Sequence, residues 1–151
     1  MPQPDNKAVM RRFYEEFWCN GNEAAVDTLV APDVVDHQRP EGWPAGREGI
    51  KQLVRVWREG FPDMRETVED MIAEGDRVVG RFTIDATHTG HFLGIPPTGR
   101  RIRIGGIDIV RIRDGQISDF WYAEDALGLY QQLGVEPPAS MPGVRAGTSR
   151  E

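Results

Sequence analysis

The dipeptide Asp114-Gly115 constrains this chain more than any other feature. It lies between two runs of alternating apolar residues, 102–113 and 116–124. An Asp-Gly pair in that setting predicts a two-residue hairpin, because the favoured turn needs positive φ at its central positions. Upstream, residues 64–74 alternate loosely, end at Glu74-Gly75-Asp76, and give way to a clearer strand over 77–89. Strands joined so closely predict a curved antiparallel sheet with an apolar face that other elements must cover.

The cover comes from the N-terminal third. A first helix, capped by Asp5 or Asn6 and running to about residue 20, carries Val9, Met10, Phe13, Tyr14, Phe17 and Trp18 at three- and four-residue spacing. Gly21-Asn22 ends it. A short second helix with Ala24, Ala25, Leu29 and Val30 stops at Pro32. A short extended piece and a loop punctuated by Pro40, Gly42, Pro44 and Gly46 lead to a third helix over 47–60, with Ile50, Leu53, Val54 and Trp57 on one side. A last helix over 126–133 closes the unit. Helices followed by strands make an α+β fold, here a single domain over residues 5–134. Residues 135–151 have little to bury and read as a loose C-terminal tail.

Charge and composition exclude several functions. A net charge of −6 argues against nucleic acid, whose phosphates need a basic surface. No run of about 18 apolar residues occurs, so no membrane helix is expected. The first ten residues lack an apolar leader core, which predicts a cytoplasmic protein. The single cysteine, Cys19, excludes an intrachain disulfide and reads as a small buried hydrophobe. His37, His88 and His91 show no HxH or HExxH spacing, so no metal is expected. Gly94-Ile95-Pro96-Pro97-Thr98-Gly99 is a stiff turn; it lacks the lysine of a phosphate loop.

The segments VVDHQRPEGWPAGREGIKQLV, FPDMRETVEDMIAEGDRVVGRFTIDATHTG and GHFLGIPPTGRRIRIGGIDIVRIRDGQISDFWYAEDALGLYQQLG, in that order, resemble the SnoaL-like polyketide (ester) cyclases of the NTF2-like superfamily. The resemblance runs from about residue 8 to 134. It implies a cone-shaped α+β barrel, three N-terminal helices packed on the curved sheet, a hydrophobic small-molecule substrate, and a homodimer formed through the sheet. It also implies intramolecular aldol chemistry without metal or cofactor. One departure matters: the resembling cyclases carry an acid/base aspartate just after the tryptophan of the last strand, and here Trp121 is followed by Tyr122. A phenol with a pKa near 10 is a poor base at neutral pH. Either another carboxylate takes the role or the chemistry differs.

Asp108 is the leading candidate for that role. It shares strand parity with Ile102, Ile104, Val110 and Ile112, and burial raises a carboxyl toward the working range of a general base. The bland alternative is an aspartate paired for structure. His88 shares parity with Phe82 and Ile84 and is expected to face inward; His37 begins the loop that would roof a cavity. With Asp108 they form the catalytic set, the histidines or Tyr122 holding the enolate oxygen. Phe120, Tyr122, Trp121, Asp125, Trp57 and Phe82 are the candidate substrate contacts, with Phe120 and Tyr122 on one parity and Trp121 on the other. Asp125 also suits a helix N-cap. Three functions fit: a cyclase, an isomerase or epoxide hydrolase in the same cavity, and a non-catalytic binder of small molecules. For the hydrolase, Arg81 and Asp85 are available, but on the parity opposite His88.

Overall fold

A computed structural model describes residues 5–138. Helix α1 (Asn6–Arg12), capped by the Asp5 carboxylate accepting from the Ala8 N–H at 3.3 Å, runs on without a break into a π-helical stretch, Phe13–Cys19. There the Asn20 N–H reaches back five residues to the Glu15 carbonyl at 3.2 Å. The wider turn sends Phe13, Tyr14, Phe17 and Trp18 inward together. Helix α2 (Ala24–Leu29) follows, then β1 (Val30–Asp36), α3 (Gly46–Gly60), β2 (Arg65–Glu74), β3 (Arg77–Thr87), β4 (Arg101–Arg113), β5 (Gln116–Glu124) and α4 (Ala126–Leu133).

The five strands form one sheet in the order β1-β5-β4-β3-β2. Both predicted turns are two-residue loops: Glu74 pairs with Arg77, and Arg113 with Gln116. Asp114 and Gly115 take φ of 51° and 75°, as that turn requires. Bulges near Asp70 and Arg111 add the extra twist that curls the sheet around the helices. Two details depart from the sequence reading. The sheet is mixed, since β1 pairs parallel with β5. Val30, expected on α2, instead starts β1; the proline two residues on is tolerated because β1 is an edge strand.

Helices α1 and α3 and the concave face of the sheet enclose the core, in which Met10, Phe17, Val26, Phe61, Val78 and Val110 lose all contact with water. The convex face carries a row that runs straight across four strands: Ile72, Val79, Ile109 and Trp121. Helix α4 is capped by Asp125, whose carboxylate accepts from the Gly128 N–H at 2.9 Å, and ends at Gly134 in the left-handed conformation. Of the expected tail, Val135 packs against the core and donates its N–H to the Tyr130 carbonyl at 3.2 Å; residues 139–151 lie outside the described residues. Among the described residues no helix is long and apolar enough to cross a membrane.

Candidate active site

The cavity between helices and sheet is walled by Trp43, Leu53, Trp57, Phe82, Ile84, Phe92, Phe120 and Leu129. Into this apolar surround point three carboxyl groups, Glu66 from β2, Asp108 from β4 and Glu124 from β5, while among the described residues no lysine, arginine or histidine lines it. Asp108 is 3% exposed and accepts a hydrogen bond of 2.9 Å from the Tyr14 hydroxyl. The bond depends on a glycine. Gly80 stands opposite Asp108 on β3, and a Cβ there would collide with the Tyr14 hydroxyl. Gly106 likewise leaves room for the Phe82 ring to lie across β4.

Electrostatics follow from this placement. Burial raises the Asp108 pKa well above the ordinary carboxylate range; the bond from Tyr14 opposes the rise, and the Glu124 charge adds to it. Glu66 is raised by burial, then by repulsion from Asp108 and Glu124. Half-buried Glu124 is pushed up by desolvation to about 7. Neighbouring carboxyls in a low-dielectric cavity cannot all ionise. Among the described residues only Asp108 of the three accepts a hydrogen bond, so the first negative charge settles there. Glu66 is thereby biased toward its protonated form, and Glu124, at about 7, is partly protonated at neutral pH.

Stability should show this. A carboxyl whose pKa is raised by folding contributes stability that is fully present below its ordinary value and is lost as pH rises through the folded value. For Glu124 the window runs from about 4.5 to about 7. The melting temperature is therefore expected to fall between pH 5 and pH 8, and Glu124→Gln to flatten that slope. Thermal melts across the range decide it; identical slopes in the two proteins would refute the burial of Glu124. Asp119, held low by His37 and Ser118 against the upward push of burial, titrates at more acid pH and does not interfere.

The expected site residues divide. Asp108, Phe120, Tyr122, Trp57 and Phe82 line the cavity together. His88, His37, Trp121 and Asp125 do not. His88 is buried, but its Nδ1 is engaged by Thr98, with Oγ1 at 3.0 Å and the backbone N–H at 3.2 Å, and its ring packs on Phe61. It anchors the loop after β3, and burial lowers its pKa. His37 lies beyond the end of β1, its Nε2 3.0 Å from Asp119 Oδ1 and its ring stacked 4.3 Å from that of Trp121 on the convex side. Parity explains Trp121: the side chains before and after it point inward. Asp125 is occupied as the cap of α4. Cys19, expected to be buried, is half-exposed and bonds the Glu66 carbonyl at 3.3 Å.

Sequence reasoning missed Glu66, Glu124 and Trp18 as cavity groups and Tyr14 as the partner of Asp108. For Glu124 a signal was present, since it continues the Phe120–Tyr122 parity by two residues. Tyr14 and Trp18 were visible only as core. Tyr122 sits opposite Asp108 across β4 and β5, its hydroxyl donating to the Gln38 carbonyl at 3.3 Å. Directly opposed residues keep their Cβ atoms about 5 Å apart, so Asp108 occupies the place next to the one where the resembling cyclases carry their aspartate.

Comparison with known proteins agrees with this geometry. The family model for SnoaL-like polyketide cyclase matches residues 8–133. The nogalonic acid methyl ester cyclase of Streptomyces nogalater is 32% identical over 116 residues, 76% of this chain and 87% of that protein. The structure of TsrD from Streptomyces laurentii superposes with a TM-score of 0.80 at 31% identity, covering 90% of this chain and all of that one. IdmH from Streptomyces antibioticus gives 0.75 at 32%, covering 87% and 99%. With its cone of sheet and helices and this degree of likeness, the chain belongs to the SnoaL-like polyketide cyclase family.

Proposed function

We propose that the protein closes a ring by intramolecular aldol addition on a neutral, carbonyl-rich, hydrophobic molecule. The observation that carries the reading is the Asp108 carboxylate, buried in an apolar cavity and held by Tyr14 at 2.9 Å. Asp108 takes the acidic proton from a carbon between two carbonyls. The enolate carbon attacks a carbonyl of the same molecule, a C–C bond forms, and the resulting alkoxide takes a proton from Glu124, an acid poised near neutral pH. The apolar wall folds the substrate so that the two carbons meet, and holding reactants in register supplies much of the rate. Reactant and product are isomers.

The S. nogalater relative, named for a methyl ester, suggests the first substrates to try: polycyclic β-keto methyl esters. Incubation with the purified protein is expected to give a product of unchanged mass and new retention time, at a rate proportional to enzyme. A ligand that binds tightly and is recovered unchanged would make the protein a binder. The row Ile72, Val79, Ile109 and Trp121 supports pairing of two chains through their convex faces. Sedimentation at micromolar concentration is expected to give twice the chain mass of 17.0 kDa, and a monomer would rule this out.

A further inference from the structure

Two polar groups in the cavity have no role in the chemistry above and no partner among the described residues. The Trp18 indole N–H and Glu66 Oε2 are buried without a hydrogen bond, and both residues, each 8% exposed, line the cavity. The segments that carry them meet, since Cys19, next to Trp18 in sequence, bonds the Glu66 backbone carbonyl. Buried polar groups are rarely left unpaired, since each orphan costs about 1–3 kcal/mol. Two orphans lining one cavity form an arrangement that a ligand atom would complete.

The helix supplies a parallel. Tyr14 and Trp18 lie four residues apart on the inward side of the π-helical stretch. Tyr14 meets a carboxyl on β4, and Trp18 shares the cavity lining with one on β2. Asp108 is satisfied by its tyrosine; Glu66 and Trp18 do not satisfy each other. Glu66 lies two strands across the sheet from Asp108 and, by the register, in line with Ile84 and Ile104 instead, so the two positions address different parts of one ligand.

We propose that Trp18 Nε1 and the Glu66 carboxyl form a two-donor subsite for one carbonyl oxygen of the ligand, distinct from the group that reacts at Asp108. A carbonyl oxygen has two lone pairs, and an indole N–H with a protonated carboxyl offers two donors. Burial, with the repulsion from Asp108 and Glu124, favours a protonated Glu66 and equally disfavours a second carboxylate beside it, so the subsite takes a ketone, quinone or ester oxygen. Its role as a contact for a cyclase substrate rests on the function proposed above; its existence does not.

The experiment uses two probes of one skeleton on the full chain: 2-acetonaphthone, which carries a ketone, and 2-ethylnaphthalene, which lacks it. Neither has a carbon between two carbonyls, so neither can cyclise and failure of the aldol reading leaves the result intact. Calorimetric titration is expected to show the ketone bound more tightly than the hydrocarbon by wild-type protein. Trp18→Phe and Glu66→Leu should each shrink that ratio by about tenfold, the worth of one buried hydrogen bond, and Glu66→Gln, which keeps a donor, should hold it within about threefold. Because the ratio is taken within each variant, a general loss of cavity shape cancels. Ratios equal to wild type in both Trp18→Phe and Glu66→Leu would overturn the proposal. So would a ratio that collapses in Asp108→Asn and not in Glu66→Leu, which would put the carbonyl at Asp108.

Discussion

Replacing Asp108 with asparagine is expected to lower turnover by about 10²–10⁴-fold, the usual contribution of a positioned general base. The fold should be untouched. Asparagine has the same shape, its Oδ1 still accepts from Tyr14, and the variant no longer buries an ionisable group. A melting temperature equal to or above wild type at pH 8 is therefore expected alongside the lost activity. Tyr14→Phe should cost less than the base itself, since a hydrogen bond to a charged group is worth about 1.5–3 kcal/mol. Exchange of the acidic proton into deuterated water by a β-keto ester that cannot cyclise isolates the first step. Full exchange activity in Asp108→Asn would end the assignment.

The reach of the sequence can be judged from that residue. Asp108 was legible because a lone acid interrupts an otherwise apolar strand face between two well-marked turns, and a period of two assigns each side chain a side. The same rule assigned Phe120 and Tyr122 correctly and put Trp121 on the other side of the sheet. It had nothing to say about depth along the cone. His88 is on the inward parity, as read, but lies past the end of β3, where the loop to β4 takes up its nitrogen. Glu66 was hidden because the bulge near Asp70 shifts the register and breaks the alternation of β2. Tyr14 is on a helix whose pattern reads as core, and which core residue meets a strand's only carboxylate depends on packing of elements distant in sequence.

A second large effect is expected at Phe61. This residue follows α3, is fully buried, and meets three rings, with centroids 5.4 Å away for Trp57, 5.1 Å for Phe92 and 5.2 Å for His88. The cluster joins the end of α3 to the loop over residues 88–99, which the Gly60 carbonyl also holds through the N–H groups of Thr89 and Gly90. Phe61→Ala should cost about 3–5 kcal/mol, the range for deleting a buried aromatic ring. Urea unfolding is expected to show a lower midpoint at unchanged slope. Since Phe92 and Leu93 reach the cavity from this loop, ligand affinity should fall as well, in a residue that touches no ligand. By contrast, removing the exposed Arg55–Glu23 ion pair should leave stability almost unchanged. A Phe61→Ala protein as stable as one lacking that pair would show that the loop is held by other contacts.

The π-helical stretch makes the number of residues, and not only their kind, a determinant of the site. A helical stretch turns by a set angle for each residue it holds, so removing one residue between Tyr14 and Trp18 would rotate the segment before the gap relative to the rest. Tyr14 would swing away from Asp108 while Trp18 kept its place in the cavity lining, although no group at the cavity had been replaced. Descendants of this chain can therefore exchange side chains along the helix far more freely than they can shorten it. A single-codon deletion there acts as a lesion in the proton-transfer machinery.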